Sequence, residues 1–559
     1  MRIYPYKQIQ PDTLNEAGFK YVGGYFIKID GVPLLNGSKN NITDEIIEAY
    51  SQNIETIYHK LDNSYAVIIY NNIQNSLTII TDPYGIEKIY YYYSPDWGLS
   101  ISSSIEKLLS ECPQKEINPD GLAEYLRFLD ISPPFTIFKD IYCLESGCIL
   151  TYAIDTNELQ IKRNSLINKR NDNLPHEDYL QAFEMLLSES IEKRTGSANK
   201  IGIMLSGGID SSLLAAVMSL KKRSQDVYAY TVGFDDMLFD ESRVAQKIAG
   251  DLNIKHLIMK FSISEEIATF HQFVNSSGMP HADPAVIPTM LAVQRIAEDG
   301  IDTIVEGTGA DGAIGSMPSR SHRLIFNYTS HIHYQLRRLV LFILKTIKDP
   351  MDIALLFDYT EAQEKFIRWK GWTKIEIEKL CGIQCSFEQT AFYKTYNEYK
   401  KNGIYELYRK LLISMPDYRI TETLKHFKVK IAFPFFDRQL REYLEAIPMS
   451  LKYQNGTGKV LYKELLSKYI PKEIWDVPKH GFDYPFDKLL KYNRHDLPKT
   501  FLSKDALKHG LFDTLIVDRY LQSFLNGDDT VKFKIWALVV FQAWYLKHSK
   551  VSSTNINPL

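Results

Sequence analysis

The chain has 559 residues, 45% hydrophobic and 24% charged, with a formal net charge of −3, a composition that fits folded globular protein too long for one core. So small a charge gives no basic excess to draw in nucleic acid, and none is expected as a partner. The five cysteines, Cys112, Cys143, Cys148, Cys381 and Cys385, are too few and too uneven for a disulfide framework, which points to a reducing, cytoplasmic setting.

The N-terminal MRIYPYKQIQ lacks the basic-then-apolar layout of a signal peptide. From there to about residue 165, short β-branched and aromatic runs alternate with turn signals. YVGGYFIKIDG, SYAVIIYNN, SLTIITDPYG and KIYYYYSPDWG predict a strand-rich layer built of hairpins. The polar NKRNDNLPHED places a linker at 166–180. Beyond it, over 181–559, the rhythm changes. KIGIMLS, DVYAYTVGF, KHLIMKF and IDTIVEG are apolar runs separated by helix-length segments, the pattern of a parallel sheet with crossover helices. From about residue 320 the periodicity is helical. LVLFIL at 339–344 and IWALVVF at 535–541 are far short of the roughly 20 residues that span a bilayer, so no membrane association is expected. Cys381 and Cys385 have no second Cys or His pair at finger-like spacing, and no structural zinc is expected.

The stretch IGIMLSGGIDSSLLAA carries the strongest chemical signal. Ser206, Gly207 and Gly208 end a predicted strand, and Ser211 and Ser212 open a helix, so backbone N–H groups and a positive helix end aim at one point. Glycine lets the backbone approach an anion closely. The turn lacks the lysine and the longer glycine spacing of the usual triphosphate loop. Asp210 inside it would repel a bare phosphate, which suggests a bridging Mg²⁺. An ordinary glycine-rich turn is the other reading of SGG alone.

LSGGIDSS in this setting resembles the pyrophosphate loop of the N-type ATP pyrophosphatases, and further segments resemble the asparagine synthetase family. These are TVGFDDMLFDESRVAQKIAGDLNIKHLIM, EGTGADG, FPFFDRQLREYLEAIP, GKVLYKELLSKYIPKEIWDVPKHGFDYPF and IWALVVFQAWYL, in order over nearly the whole second part. LDNSYAVIIYN, TDPYGIEKIYYYY and SSSIEKLL resemble its glutaminase layer. The resemblance implies an α/β protein: a glutaminase-like, Ntn-type β-rich sandwich, then an adenine-nucleotide α-hydrolase-like parallel-sheet synthetase domain with a helical C-terminal part. It also implies an AMP-forming carbon–nitrogen ligase that uses ATP and Mg²⁺. Asp210 and Asp311, by the same matching, would hold the metal against the phosphates, and Lys479 would neutralise the α-phosphate and the acyl oxyanion. Lys459 and Lys463 fit the family's Lys-x-x-x-Arg position near pyrophosphate, with the second conservatively changed to lysine. Leu205, Val232, Gly233 and Gly307 would border adenine or ribose, and Ser206, Gly207, Gly208, Ser211 and Ser212 the departing pyrophosphate.

Two departures from the family stand out. Glutamine-hydrolysing members carry a nucleophilic Cys at position 2, where this chain has Arg2; a guanidinium cannot attack an amide. In the Gly-x-Gly-x-Asp-Glu loop the Glu is Gly312, the x position that relatives fill with Glu or Tyr is Thr308, and the acidic position before the Pro-Phe segment is Lys430. A neutral threonine is a poor base, which leaves His281, His426 and Glu306 as candidates. Cysteine-less relatives include β-lactam synthetases and lasso peptide cyclases. The altered GTGADGAIG loop, the basic SMPSRSHRLIF and the helical insertion up to about 415 look nearer to the cyclases, although YQLRRLVLFILKTI supports packing as readily as substrate binding. The expected reaction is amide closure within a ribosomal precursor peptide, and the cyclase resemblance implies a leader-recognition protein and a leader protease as partners. Ammonia-dependent asparagine formation, a small-molecule β-lactam-type reaction and a nucleotide- or peptide-binding pseudo-enzyme are the rivals.

Overall fold

A computed structural model describes residues 1–35, 41–113, 116–163, 175–196, 198–221, 226–235, 240–347, 359–366, 371–414, 419, 421, 423, 426–427, 429–477 and 484–551. The chain divides into two compact units, and the division is not linear. Met1–Asn118, Pro133–Arg170 and Phe436–Glu442 form the first; Pro119–Ser132, Asn171–Phe435 and Tyr443–Leu559 form the second.

In the first unit the apolar-and-aromatic runs form strands, as their composition predicts. β1 (Arg2–Ile3), β6 (Tyr90–Ser94), β7 (Gly98–Ser102) and β8 (Ile141–Cys143) make a four-stranded sheet in the order β1-β7-β6-β8. β2 (Lys20–Val22), β3 (Tyr25–Leu35), β4 (Leu61–Asn71), β5 (Ser76–Thr81), β9 (Cys148–Ala153) and β10 (Glu158–Arg163) make a six-stranded one, β10-β9-β5-β4-β3-β2, antiparallel throughout. Side chains alternate across a strand, so β4 serves two cores. Ala66, Ile68 and Tyr70 join Leu99 and Ile101 of the smaller sheet in one cluster. Tyr65, Val67 and Ile69 pack on the opposite face with Ile46, Ile47 and Ala49 of the helix Ile42–Gln52. All eleven residues of β4 are buried, and its middle, Tyr65–Tyr70, covered on both faces, reads as a continuous apolar and aromatic run.

The turn after β5 is organised by one acid. Asp82 is fully buried and its carboxylate accepts the N–H groups of Tyr84 (2.8 Å), Ile86 (3.2 Å) and Glu87 (3.0 Å). Burial pushes its pKa up to about 7, against the pull of those three N–H groups.

The second unit is built on a parallel sheet of β11 (Ile201–Met204), β12 (Val227–Val232), β13 (Lys255–Met259), β14 (Thr303–Val305) and β15 (Lys430–Ala432), in the order β13-β12-β11-β14-β15. The chain leaves β11 toward β12 and β13, then returns to the other flank for β14 and β15. β11 and β14 therefore flank a topological switch point, where the loops at the carboxyl ends of the two strands diverge and open a crevice. The C-terminal helix Lys532–Val551 is buried around its girth from Ile535 to Phe541. Its Trp536 and Trp544 indoles donate to the carbonyls of Ala282 (3.0 Å) and Ser277 (3.1 Å). Tyr125, on the helix Pro119–Phe128, donates to Ala537 O at 2.8 Å, which is why 119–132 belongs to this unit. Among the described residues no helix is long and apolar enough to cross a membrane.

The expected linker 166–180 needs correction at its end, because a helix runs from His176 to Thr195 with Pro175 at its N-cap and Glu177 and Asp178 in its first turn. A proline that needs no N–H donor and acids facing a positive helix end suit a helix start. The rest of that segment, 164–174, lies outside the described residues.

Asp82→Ala strips the acceptor from three amides at once. It should lower stability by about 3 kcal/mol and accelerate hydrogen exchange at Tyr84, Ile86 and Glu87; urea unfolding and amide exchange check both.

Candidate active site at the switch point

The site begins where β11 stops. Leu205 N–H still donates to Tyr230 O at 2.8 Å, and Leu205 O accepts the Thr231 hydroxyl at 2.5 Å, so the sheet holds the backbone until Ser206. Gly207 then turns at φ +73°, and a Cβ there would lie 3.1 Å from Val244; both facts select glycine. The serines hold the turn closed. Ser211 Oγ accepts Ser206 N–H at 3.2 Å, Ser206 Oγ accepts Gly208 N–H at 3.3 Å, and the Ser212 hydroxyl donates to Gly208 O at 2.7 Å. Ser212 is fully buried, so its observed role is to build the loop.

Asp210 sits in the first turn of the helix Ile209–Lys221 after β11, and Asp311 in the first turn of the short helix Ala310–Ile314 after β14. Because the two strands are neighbours in the sheet, the two carboxylates converge. Gly307 runs alongside: a Cβ on it would touch Asp210 Cβ at 3.4 Å. Between the acids lies the ammonium of Lys459, 2.7 and 2.6 Å from the two oxygens of Asp210 and 2.6 Å from Asp311 Oδ1. Lys459 caps the helix Val460–Ser467 in a left-handed backbone conformation, φ 58°. Its burial opposes a charge, but Asp210 and Asp311 outweigh that and hold its pKa above the ordinary lysine range. One helical turn on, Lys463 has a lowered pKa, through burial foremost and through the neighbouring Lys472 and Lys459, against the pull of Asp476.

The end of β12 borders the same edge of the sheet. Val232 is buried. Gly233 N–H donates to Met259 O at 2.8 Å, and a Cβ at Gly233 would come within 2.8 Å of Ile258. Lys479 lies outside the described residues.

The three candidates for a base fare differently. His281 is buried, with Nδ1 2.7 Å from Asp130 Oδ1 and its ring beside Phe273, a pairing that belongs to the core. His426 Nε2 lies 3.2 Å from Ser276 Oγ at the end of the helix Ile263–Ser276. Glu306 follows β14 directly, and its carboxylate accepts Thr308 N–H at 2.6 Å and stands 3.8 Å from Arg419. Lys430 is level with Thr303 at the opening end of β14, the edge opposite to the carboxylates. At Gly312 a Cβ would come 2.6 Å from Ile413 of the helix Ile404–Ser414. An acid at 312 would have to displace that isoleucine.

In the first unit Arg2 is no substitute nucleophile. Its guanidinium lies 3.2 Å from the centre of the Trp97 ring and 4.4 Å from that of Tyr4, a cation–π arrangement. Cys112, Cys143 and Cys148 are buried, and burial pushes the thiols of Cys112 and Cys148 up to about 11, far from the thiolate that a nucleophile requires.

A glycine turn between a strand and a helix, beside two acids and a lysine at the switch point of a parallel sheet, is where open α/β folds place their ligand sites. The asparagine synthase family model matches residues 182–546, and a glutamine amidotransferase domain model matches 38–163. The chain belongs to the asparagine synthase family, an ATP-dependent carbon–nitrogen ligase family. It is similar to asparagine synthetase (glutamine-hydrolyzing) 1 of Bacillus subtilis, 22% identical over 518 residues that cover 90% of this chain and 80% of that protein. A putative asparagine synthetase (glutamine-hydrolyzing) 1 of Methanocaldococcus jannaschii is 29% identical over 263 residues, 46% of this chain and 45% of that one. Among solved structures, an NH3-dependent NAD synthetase from Campylobacter jejuni matches with a TM-score of 0.19 and 15% identity, covering 33% of this chain and 92% of that chain.

Lys459→Met leaves two carboxylates facing each other without a cation. Stability should fall by about 2 kcal/mol, less than for a fully buried pair because Asp311 is half exposed. Adding Asp210→Asn should restore part of it, a coupling that a double-mutant cycle by urea unfolding measures.

Proposed function

We propose that the second unit activates a carboxylate with ATP and closes an amide within a ribosomal precursor peptide, while the first unit hydrolyses no glutamine. The observation that carries this reading is the convergence of Asp210, Asp311 and Lys459 at the switch point, beside the Ser206–Gly208 turn. A carboxylate oxygen of the substrate attacks the α-phosphorus, the bond to the β-phosphate breaks, and pyrophosphate leaves. The amine then attacks the acyl carbon, loses a proton and expels AMP, so the product is one water lighter than the peptide.

Each protein group has a task in that sequence. The N–H groups of the turn and the start of the helix Ile209–Lys221 receive the leaving pyrophosphate. Lys459 and Lys463 offset the charge that grows on it, and Lys479 that on the α-phosphate and the acyl oxygen. Leu205, Val232, Gly233 and Gly307 border the nucleoside. Asp210 and Asp311 fit Mg²⁺ because two carboxylates meet at one cation, while no group of three or more metal-ligating side chains occurs among the described residues. That donor set suits an ion completing its shell with phosphates and water. When bound, the metal neutralises phosphate charge and polarises the centre under attack.

Support for an amine other than ammonia released from glutamine comes from Arg2 and the buried thiols, and support for a reshaped acceptor pocket from Thr308 and Gly312. On this reading a leader-recognition protein and a leader protease act on the same precursor.

Incubation with ATP, Mg²⁺ and the precursor should give AMP, pyrophosphate and a peptide lighter by one water, and chelation of the metal should stop it. Asp210→Ala and Lys479→Ala should each cut the rate at least ~10²-fold with the circular dichroism unchanged. Amide formation from aspartate and ammonia instead would replace the peptide reading, and full rates in either variant would remove that residue's role.

A further inference from the structure

The helix that carries Asp311 has five residues, Ala310–Ile314, too few to hold its own direction. What it packs against therefore decides where the carboxylate points. The helix Ile404–Ser414 lies on it, with Ile413 filling the space over Gly312. Arg409 of that helix is buried to its guanidinium.

Every donor of that guanidinium is used. Nε and one terminal nitrogen reach Glu406 at 3.1 and 2.7 Å; the two terminal nitrogens reach Glu445 at 2.6 and 2.8 Å. The remaining N–H donates to the carbonyl of Gly312 at 3.3 Å. Five donors meet five acceptors in the planar fork that only arginine offers. Glu445 is fixed in turn by Lys410 at 3.3 Å, and its carbonyl accepts Lys452 Nζ at 3.0 Å. Past the helix, Tyr453 donates its hydroxyl to Ser316 O at 3.3 Å and occupies the place a Cβ on Gly315 would need.

We propose that Arg409 is a positioning residue for the ligase reaction: anchored by Glu406 and Glu445, it holds the Gly312 carbonyl and thereby keeps Asp311 aimed at the cation position it shares with Asp210. The proposal rests on the ligase reading for its kinetic consequence only. The residue touches no substrate; it acts through the backbone next to Asp311. Ile413 over Gly312 is the apolar half of the same grip, so the site has room for this clamp where relatives have a glutamate.

Arg409→Lys keeps the charge and loses the fork. Without nucleotide, its amides at 310–315 should exchange about tenfold faster, as expected for one lost charge-assisted hydrogen bond. The half-saturating Mg²⁺ concentration for AMP release should rise by a similar factor, with a smaller change in KM for the peptide. Should Arg409→Lys fail to fold, Gly312→Ala and Gly312→Ala/Ile413→Ala decide: the single variant should show both effects and the double variant should lose them. Wild-type exchange and Mg²⁺ requirement in folded Arg409→Lys, or no recovery in the double variant, would overturn the clamp. A wild-type protein that releases no AMP with any substrate sinks the ligase reading instead, and the exchange rates at 310–315 still judge the clamp.

Discussion

Two carboxylates from the first turns of different helices repel each other in a partly buried crevice and stay ionised there only if a positive charge lies between them. The ammonium of Lys459, within 2.7 Å of Asp210 and 2.6 Å of Asp311, meets that requirement and ties three distant stretches of chain to one point. The parallel sheet makes the meeting possible, since β11 and β14 are adjacent and each delivers its acid in the first turn of the following helix. The serines of the loop serve the same end by closing the turn that starts the Asp210 helix.

The first unit keeps the architecture of its family domain through the burial of its strands, and that burial does not depend on a nucleophile. β4 packs on both faces and Asp82 gathers three amides whatever stands at position 2. Arg2 stacked on Trp97 is compatible with that frame. The core that stabilises this fold therefore makes no demand on the residue at its edge.

The strand runs and the Asp210 turn were legible because their signals are local: alternation, apolar runs, and SGG between a strand and a helix; the order of the strands, β13-β12-β11-β14-β15, was not. The family resemblance pointed to Asp311 and Lys459 but gave no sign that the lysine bridges both acids, which depends on contacts between residues 249 apart. Arg409 carried no signal at all, since it stands in a helical insertion whose periodicity reads as ordinary packing. His281 suggested a base through its side-chain chemistry alone, and its partner Asp130 is 151 residues away. The exchange of 119–132 and 436–442 between the two units is likewise non-local; no composition shift marks a segment that crosses over to pack elsewhere. The linker end was misread because His176–Asp178 is polar and follows a proline, a pattern that loops and helix starts share.

Position 459 answers to two demands that favour different amino acids. Its left-handed backbone, φ 58°, costs a side chain with a Cβ roughly 1 kcal/mol, and glycine or asparagine would relieve it. Neither could bring a cation to the two acids. Losing the cation between the acids costs about 2 kcal/mol against the roughly 1 kcal/mol that the backbone would regain, so the charge of the two acids, and not the preference of the backbone, decides which side chain suits position 459.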